Sequence, residues 1–232
     1  SSKLKSVDLI CISEFSENIL LIKLEQGSEY SNNSSFFLAL STFLRKKPHW
    51  IEVVAAEESI AIQYDDLKIP AHKVKDLILT QVKGFSYKEE SKTEILLRVP
   101  VYYSDEFGLD LEQITKTQSV TSEELIHLHS NIEYEVKMIG FTLGFAYLGD
   151  VHERLRIPRL SEPRISLLPG SVGIAENRTG IYPFGGPGGW SIIGRTPIKL
   201  FDENKENPFV INPGMRVKFD PINKKEFEKF NR

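Results

Sequence analysis

Eleven of the chain's fifteen glycines and six of its twelve prolines fall between Gly140 and Pro197, interleaved with Phe141, Phe145, Tyr147, Tyr182 and Trp190. Glycine admits left-handed backbone and close approach, proline fixes turns, and aromatic rings supply rigid walls. Such a mixture excludes long helices from this stretch. It predicts short strands and shaped loops around a pocket for a small ligand. A net charge of −3 over 232 residues, with 26% charged residues, gives no concentrated basic face for nucleic acid. No apolar run approaches the roughly 18 residues of a membrane helix. The lone Cys11 excludes an intramolecular disulfide and a cysteine metal cluster. No basic-then-apolar leader is present at the N-terminus, so the cytoplasm is the expected location.

Only two glycines and two prolines precede position 93, so composition divides the chain. The expectation is two domains, 1–90 and 91–232, with the polar run SYKEESKTE at the boundary. The first reads strand, strand, helix, strand, strand, helix, a small α+β sandwich. Phe36, Phe37, Leu40, Phe43 and Leu44 recur at helical spacing, with Asn33 placed to cap and Pro48 to stop the helix. Val74, Leu77, Ile78, Gln81 and Val82 mark a second helix closed by Gly84. In the second domain, Asp110 with Gln113 and Thr121 with Glu124 fit capping boxes for two short helices. Beyond Asn131, the segments YEVKMIG, GSVGIA, WSIIG and MRVKF are short strands between turns, the pattern of a closed β-barrel.

No GxxxxGK[ST], GxSxG or HExxH motif occurs, so no standard phosphate loop, serine elbow or zinc helix is available. His127 and His129 stand two apart and point to different helix faces, which disfavours a shared metal; no metal ligands are assigned. His129 follows Leu125 by four and faces inward, either as a buried, hydrogen-bonded residue or as an imidazole lining the pocket and exchanging a proton. Residues 141–200 hold seven Lys and Arg against four Asp and Glu, so this region is +3 and the remainder −6. Arg164 and Arg195 adjoin turn residues that can hold them against an anion. The backbone of PFGGPGGW can form an anion nest beside the Trp190 plate.

Three segments, HSNIEYEVKMIGFTLGFAYLG, RIPRLSEPRISLLPGSVGIAENRTGIYPFGGPGGWSIIGRTPIKLFD and NPGMRVKFDPI, resemble the family of 5-oxoprolinase B-type subunits, also described as KipI-like or allophanate hydrolase subunit 1-type carboxyltransferase-domain proteins. The resemblance runs from about Val99 to Ile222. It implies a cyclophilin-like closed β-barrel after the smaller α+β domain. It also implies ATP-dependent activation of 5-oxoproline by this chain with a C-type partner subunit. Ring opening of the lactam to glutamate would be completed by an A-type subunit of the LamB/YcsF kind, with ATP and magnesium at a site shared between partners. Phosphorylating the lactam oxygen turns a poor electrophile into a good one, provided the groups are held in line.

On motif position and chemistry, His129, Arg164 and Arg195 are the expected catalytic residues. Phe141, Gly144, Phe145, Tyr147, Arg178, Thr179, Tyr182, Gly188, Gly189, Trp190 and Thr196 are the expected residues around a small anionic substrate or nucleotide. The family's two loop prolines are replaced here by Leu143 and Ala146, and Arg178 stands where glutamine is common, so a looser loop and a more basic pocket are expected. Two other functions are compatible with the resemblance: a KipI-type inhibitor binding a sensor histidine kinase, and a carboxyltransferase-type component that acts on a urea-derived substrate.

Overall fold

The computed structural model describes residues 10–25, 27, 28, 30, 34–87, 95–141, 144–205 and 208–230. Asn33, Leu143 and most of the SYKEESKTE run lie outside the described residues. The chain divides into two compact units, Ser1–Lys92 and Thr93–Arg232.

The first unit is a four-stranded antiparallel sheet with two helices. Its strands β1 (Ile10–Ser16), β2 (Ile19–Leu24), β3 (Trp50–Ala55) and β4 (Ile60–Tyr64) lie in the order β1-β2-β4-β3. Alternation explains its one-sided burial: Leu20, Ile22 and Leu24 of β2 and Ile60, Ile62 and Tyr64 of β4 point to one face. Helices α1 (Ser34–Arg45) and α2 (Ala71–Val82) cover that face. Phe36, Phe37, Leu40 and Leu44 from α1 and Val74, Ile78 and Val82 from α2 join the same core, at the spacing that places them on one helical stripe.

The second unit is built on seven strands: β5 (Leu96–Val101), β6 (Glu133–Ile139), β7 (Ala146–Gly149), β9 (Ser171–Ala175), β10 (Arg178–Tyr182), β12 (Ser191–Arg195) and β13 (Arg216–Pro221). Their order is β12-β9-β10-β7-β6-β13-β5, antiparallel except for β13 beside β5. The sheet curls until its two edges meet, where Tyr102 and Arg195 exchange both backbone hydrogen bonds, at 2.9 and 3.1 Å. This bridge pairs the two edges at one point and brings the ends of the sheet together. The fold is therefore α+β and mainly β, as the segment pattern predicts. Inward residues alternate along every strand, and Val99, Tyr134, Leu148, Val172, Ile174, Ile181, Ile193, Val217 and Phe219 are all fully buried in one core. Helices α3 (Leu111–Gln118) and α4 (Ser122–Ser130) add Leu111, Ile114 and Leu125 to it, and α5 (Lys224–Lys229) follows β13. A separate two-stranded ribbon pairs β8 (Arg164–Leu167) with β11 (Gly186–Gly188).

The Thr121–Glu124 capping box forms as expected, with both reciprocal bonds present. Asp110 departs from its expected capping role. Its carboxylate makes no cap bond to α3 and instead accepts from the Ile192 amide at 2.7 Å and from Arg164 Nη2 at 2.7 Å.

Candidate functional site

Strand alternation gives the wall made by β7, β10, β9 and β12 two different faces. Ala146, Leu148, Thr179, Ile181, Val172 and Ile174 point into the barrel. Phe145, Tyr182, Trp190, Ile192 and Ala175 form a second, smaller cluster with Tyr147 on the outer face, joined by Leu167 of the ribbon. The glycines explain how rings sit so close to the wall. Gly180 and Gly173 are directly paired across β10 and β9. A Cβ at Gly180 would stand 2.9 Å from the Phe145 ring and 3.1 Å from the Trp190 ring, and one at Gly173 would stand 3.1 Å from Trp190 Cβ. Bare backbone in this wall is a seat for the chain's own aromatics. Phe145 packs edge-on against Tyr147 and Tyr182 at 4.9 Å each and against Trp190 at 5.2 Å.

Most of the aromatic residues predicted to wall a pocket are thus packed together. Phe145, Tyr182 and Trp190 are buried, whereas Tyr147 is half-buried and Phe141 is 62% exposed. Phe141 takes a left-handed backbone (φ 68°) and lays its ring against Phe145 at 5.8 Å. Gly144, also left-handed, lies against Phe209, and the Gly140 amide donates to the Phe145 carbonyl at 3.0 Å, closing the loop. Ala146 is buried and paired with Ile181, so the residue replacing the second loop proline is held within the sheet.

The glycine run is built into the ribbon and its surroundings. Gly186 and Gly188 pair with β8, and the Gly189 carbonyl accepts from the Leu160 amide at 2.8 Å. Gly188 is bare for a steric reason: a Cβ there would be 2.6 Å from both Leu167 Cδ1 and the Tyr182 hydroxyl. Burial pushes that hydroxyl up to about 12, with the Trp190 amide and Arg159 acting in the opposite direction.

His129 is fully buried inside the barrel and does not line a pocket, because its ring is stacked on Phe219 at 4.5 Å and both ring nitrogens are engaged. Thr179 Oγ1 donates to the Gly173 carbonyl at 3.0 Å, so its bond with His129 Nε2, at 2.8 Å, must be one it accepts. Nε2 therefore carries the proton, and Nδ1 accepts from the Tyr103 hydroxyl at 2.8 Å. Desolvation drives His129 down to about 3. A histidine sealed and neutral in this way is no proton exchanger for a surface ligand. Its neighbour His127 is exposed, as the helical spacing requires.

The two arginines expected to be catalytic stand apart, each with its own partners. Arg164 is tied to the buried Asp110, although its Nη1 is buried without an acceptor. Arg195 donates from Nε to the Pro169 carbonyl at 2.8 Å, and its guanidinium lies over Phe107 and Phe227 at the barrel seam. Thr196 is buried, with its amide donating to the Gly170 carbonyl. The structure does not bring Arg164, Arg195 and His129 together. Arg178 does not make the region more basic: its guanidinium lies over bare Gly149 and pairs with Asp150 at 2.5 Å. Lys137, on β6, pairs with Glu135 at 2.9 Å.

Sequence reasoning counts Arg159 among the arginines of the positive stretch and assigns it no role. Its guanidinium lies 5.9 Å from the centre of the Trp190 ring, and among the described residues no carboxylate pairs with it. The only advance signal is its place in RIPRLSEP, just before the glycine-rich turns. Among the described residues, no three His, Cys, Asp or Glu side chains converge as metal ligands, and no helix is long and apolar enough to cross a membrane.

The profile of the family described as carboxyltransferase domain, subdomain C and D, matches residues 10–211, and the chain belongs to that family. Within it, the chain is 37% identical over 192 residues to the B-type subunit of 5-oxoprolinase from Bacillus subtilis (strain 168), covering 79% of this chain and 80% of that one. A conserved uncharacterized protein of known structure from Pyrococcus horikoshii is 34% identical, with TM-score 0.55, over 94% of this chain and 100% of that one. The Kluyveromyces lactis urea carboxylase shares the fold at TM-score 0.74 and 16% identity, over 95% of this chain and 22% of its own. A further solved protein aligns at TM-score 0.71 and 28% identity over 88% of this chain, which spans 40% of that longer protein.

Proposed function

We propose that this chain is the B-type subunit of an ATP-dependent 5-oxoprolinase. It acts with a C-type partner to activate 5-oxoproline, and an A-type component of the LamB/YcsF kind opens the ring to glutamate. The observation that carries the proposal is the 37% identity to a 5-oxoprolinase B-type subunit, spread over 80% of that relative. The outer shelf of the barrel is compatible with it. Phe141 and Tyr147 offer accessible ring surface there for the apolar part of a small ring.

Among the described residues, the outer wall of the barrel does not by itself fit a magnesium-bound triphosphate. Lys137 and Arg178 are matched by acids, and Gly186 and Gly188 of the glycine run are paired in the β8–β11 ribbon. ATP, which supplies the phosphoryl group that activates the lactam oxygen, is therefore assigned to a site completed by the partner. The residues of this chain bind and orient the ring and exclude water around it. The test is to mix the three separately purified components and follow ATP consumption. Consumption dependent on 5-oxoproline is expected only with all three present. Undiminished consumption when this chain is omitted refutes the assignment.

A further inference from the structure

We propose that the β8–β11 ribbon and the row of rings at its tip are the surface on which the C-type partner subunit docks. Burial singles this surface out. Among the described residues, seven large apolar side chains of the second unit are exposed, and three of them cluster here: Ile165, Leu168 and Phe184, at 92%, 53% and 46%. Apolar residues scattered singly over a surface are ordinary, whereas a cluster marks a contact site. Gly185 lets the backbone beside Phe184 settle on the end of β8, because a Cβ there would run into the Leu167 carbonyl oxygen and stand 3.0 Å from the Leu168 carbonyl carbon. Phe184 meets the Phe201 ring edge-on at 5.2 Å, and Phe201 meets Phe209 at 5.2 Å, so Phe184 heads a row of three rings. β8 carries one residue more than β11 between their paired positions, Leu167 with Gly186 and Arg164 with Gly188. Ile165 lies in this bulge, a feature that re-aims side chains.

The ribbon is also unfinished as a sheet. Among the described residues no third strand pairs with β8 or β11, so both outer edges present backbone groups to whatever lies beside them. A polypeptide suits such a surface, since it supplies apolar side chains for the row and a strand or loop for an edge. Two observations choose the partner. Leu167 of the ribbon joins the outer cluster with Tyr182 and Trp190, so a body seated on the ribbon borders the shelf, where a site shared between subunits has to lie. The longer solved protein that aligns over 88% of this chain is matched over only 40% of its own length. In that relative the same fold is accompanied by more than its own length of further protein, and a C-type subunit supplies such a companion here. That the occupant is the C-type subunit rests on the function proposed above; the docking surface itself rests on the geometry.

Sedimentation velocity of the 232-residue chain with the separately purified C-type subunit reads the contact without any turnover. A saturable complex is expected. Ile165→Asp and Leu168→Asp each place a carboxylate on the ribbon at an exposed position, so the fold is retained while the complex weakens at least about tenfold. Phe184→Asp, which also breaks the ring row, should weaken it further. Leu67→Asp and Ile95→Asp, at exposed apolar positions off the ribbon, should leave the affinity unchanged, with thermal unfolding verifying that every variant is folded. No complex with the native chain, undiminished binding by Ile165→Asp and Leu168→Asp, or an equal loss in the two controls overturns the proposal. So does self-association: a chain that sediments alone as a dimer, and that Leu168→Asp returns to a monomer, would make the ribbon an interface between copies. The two proposals fail separately. If the three-component mixture consumes ATP with 5-oxoproline and the ribbon variants bind and turn over as the native chain does, the surface is wrong and the function stands. If ribbon-dependent binding holds but the mixture is inactive, the surface stands and the function falls.

Discussion

His129→Leu separates a buried neutral histidine from any other role, because the two residues fill similar volume while only one titrates. In the native protein the imidazole stays neutral down to about pH 3, against 6.5 for an ordinary histidine. In the unfolded chain the same ring takes up a proton as the pH falls through 6.5, so acid stabilises the unfolded state alone. The folded-state value is depressed, so the stability His129 contributes is complete above about pH 6.5 and is lost steadily between 6.5 and 3. Linkage puts this loss at about 0.8 kcal/mol at pH 6 and about 2 kcal/mol at pH 5, relative to about pH 8. Leucine removes the loss but leaves the fully buried Tyr103 hydroxyl without its acceptor, at a cost of about 1–3 kcal/mol at every pH. Thr179 is spared, since it still donates to the Gly173 carbonyl. Urea unfolding of both proteins at about pH 8, 7, 6 and 5 should show the variant weaker at pH 8 and the gap closing by about 2 kcal/mol by pH 5. The difference between the two proteins cancels the other four histidines. A gap that stays constant over this range refutes the sealed, neutral imidazole.

Two further substitutions test the wall and a helix start. Gly180→Ala places a methyl 2.9 Å from the Ala146 carbonyl oxygen and 2.9 Å from the Phe145 ring, so a loss of about 1–3 kcal/mol is expected in thermal or urea unfolding. An unchanged midpoint would show that the rings do not rest on that backbone. Thr121→Ala removes the side-chain half of the α4 capping box and should cost about 1 kcal/mol in the same assay, whereas an exposed Ser122→Ala control should be near neutral.

Local pattern makes the elements legible. The helical stripes of α1 and α2, the Thr121 box and the alternating barrel strands are written in neighbouring residues and can be read directly. Asp110 carries the same local signature as a capping residue, but its carboxylate is claimed by Arg164 and by the Ile192 amide, 54 and 82 residues away. Partners so distant leave no trace in the local pattern. Composition locates the glycine-rich stretch, yet it cannot say whether bare backbone faces a ligand or the chain's own rings; the pairing of Gly180 with Gly173 decides that. Arg159 is given no role for the same reason. Its guanidinium lies 5.9 Å from the centre of the Trp190 ring, a contact between residues 31 apart that only the tertiary structure displays.

The two faces of β10 tie the interior chemistry to the shelf outside. Thr179 and Gly180 are successive residues, so one points inward to His129 and the other outward beneath Phe145 and Trp190. Across the pair, the Gly173 carbonyl accepts from the Thr179 hydroxyl while its α-carbon lies under Trp190. The run from Tyr103 through His129 and Thr179 to Gly173 therefore fixes, from inside, the two glycines on which the outer rings rest. A fully satisfied buried network of this kind rigidifies its surroundings, whereas a half-satisfied one loosens them. Loosening the network should alter the seat of Trp190 without touching any residue of the shelf. His129→Leu thus gives a second readout: L-5-oxoproline affinity should fall in that variant even at about pH 8, while the native fold is fully populated. Unchanged affinity in a measurably destabilised variant would mean that the interior network and the shelf are energetically independent.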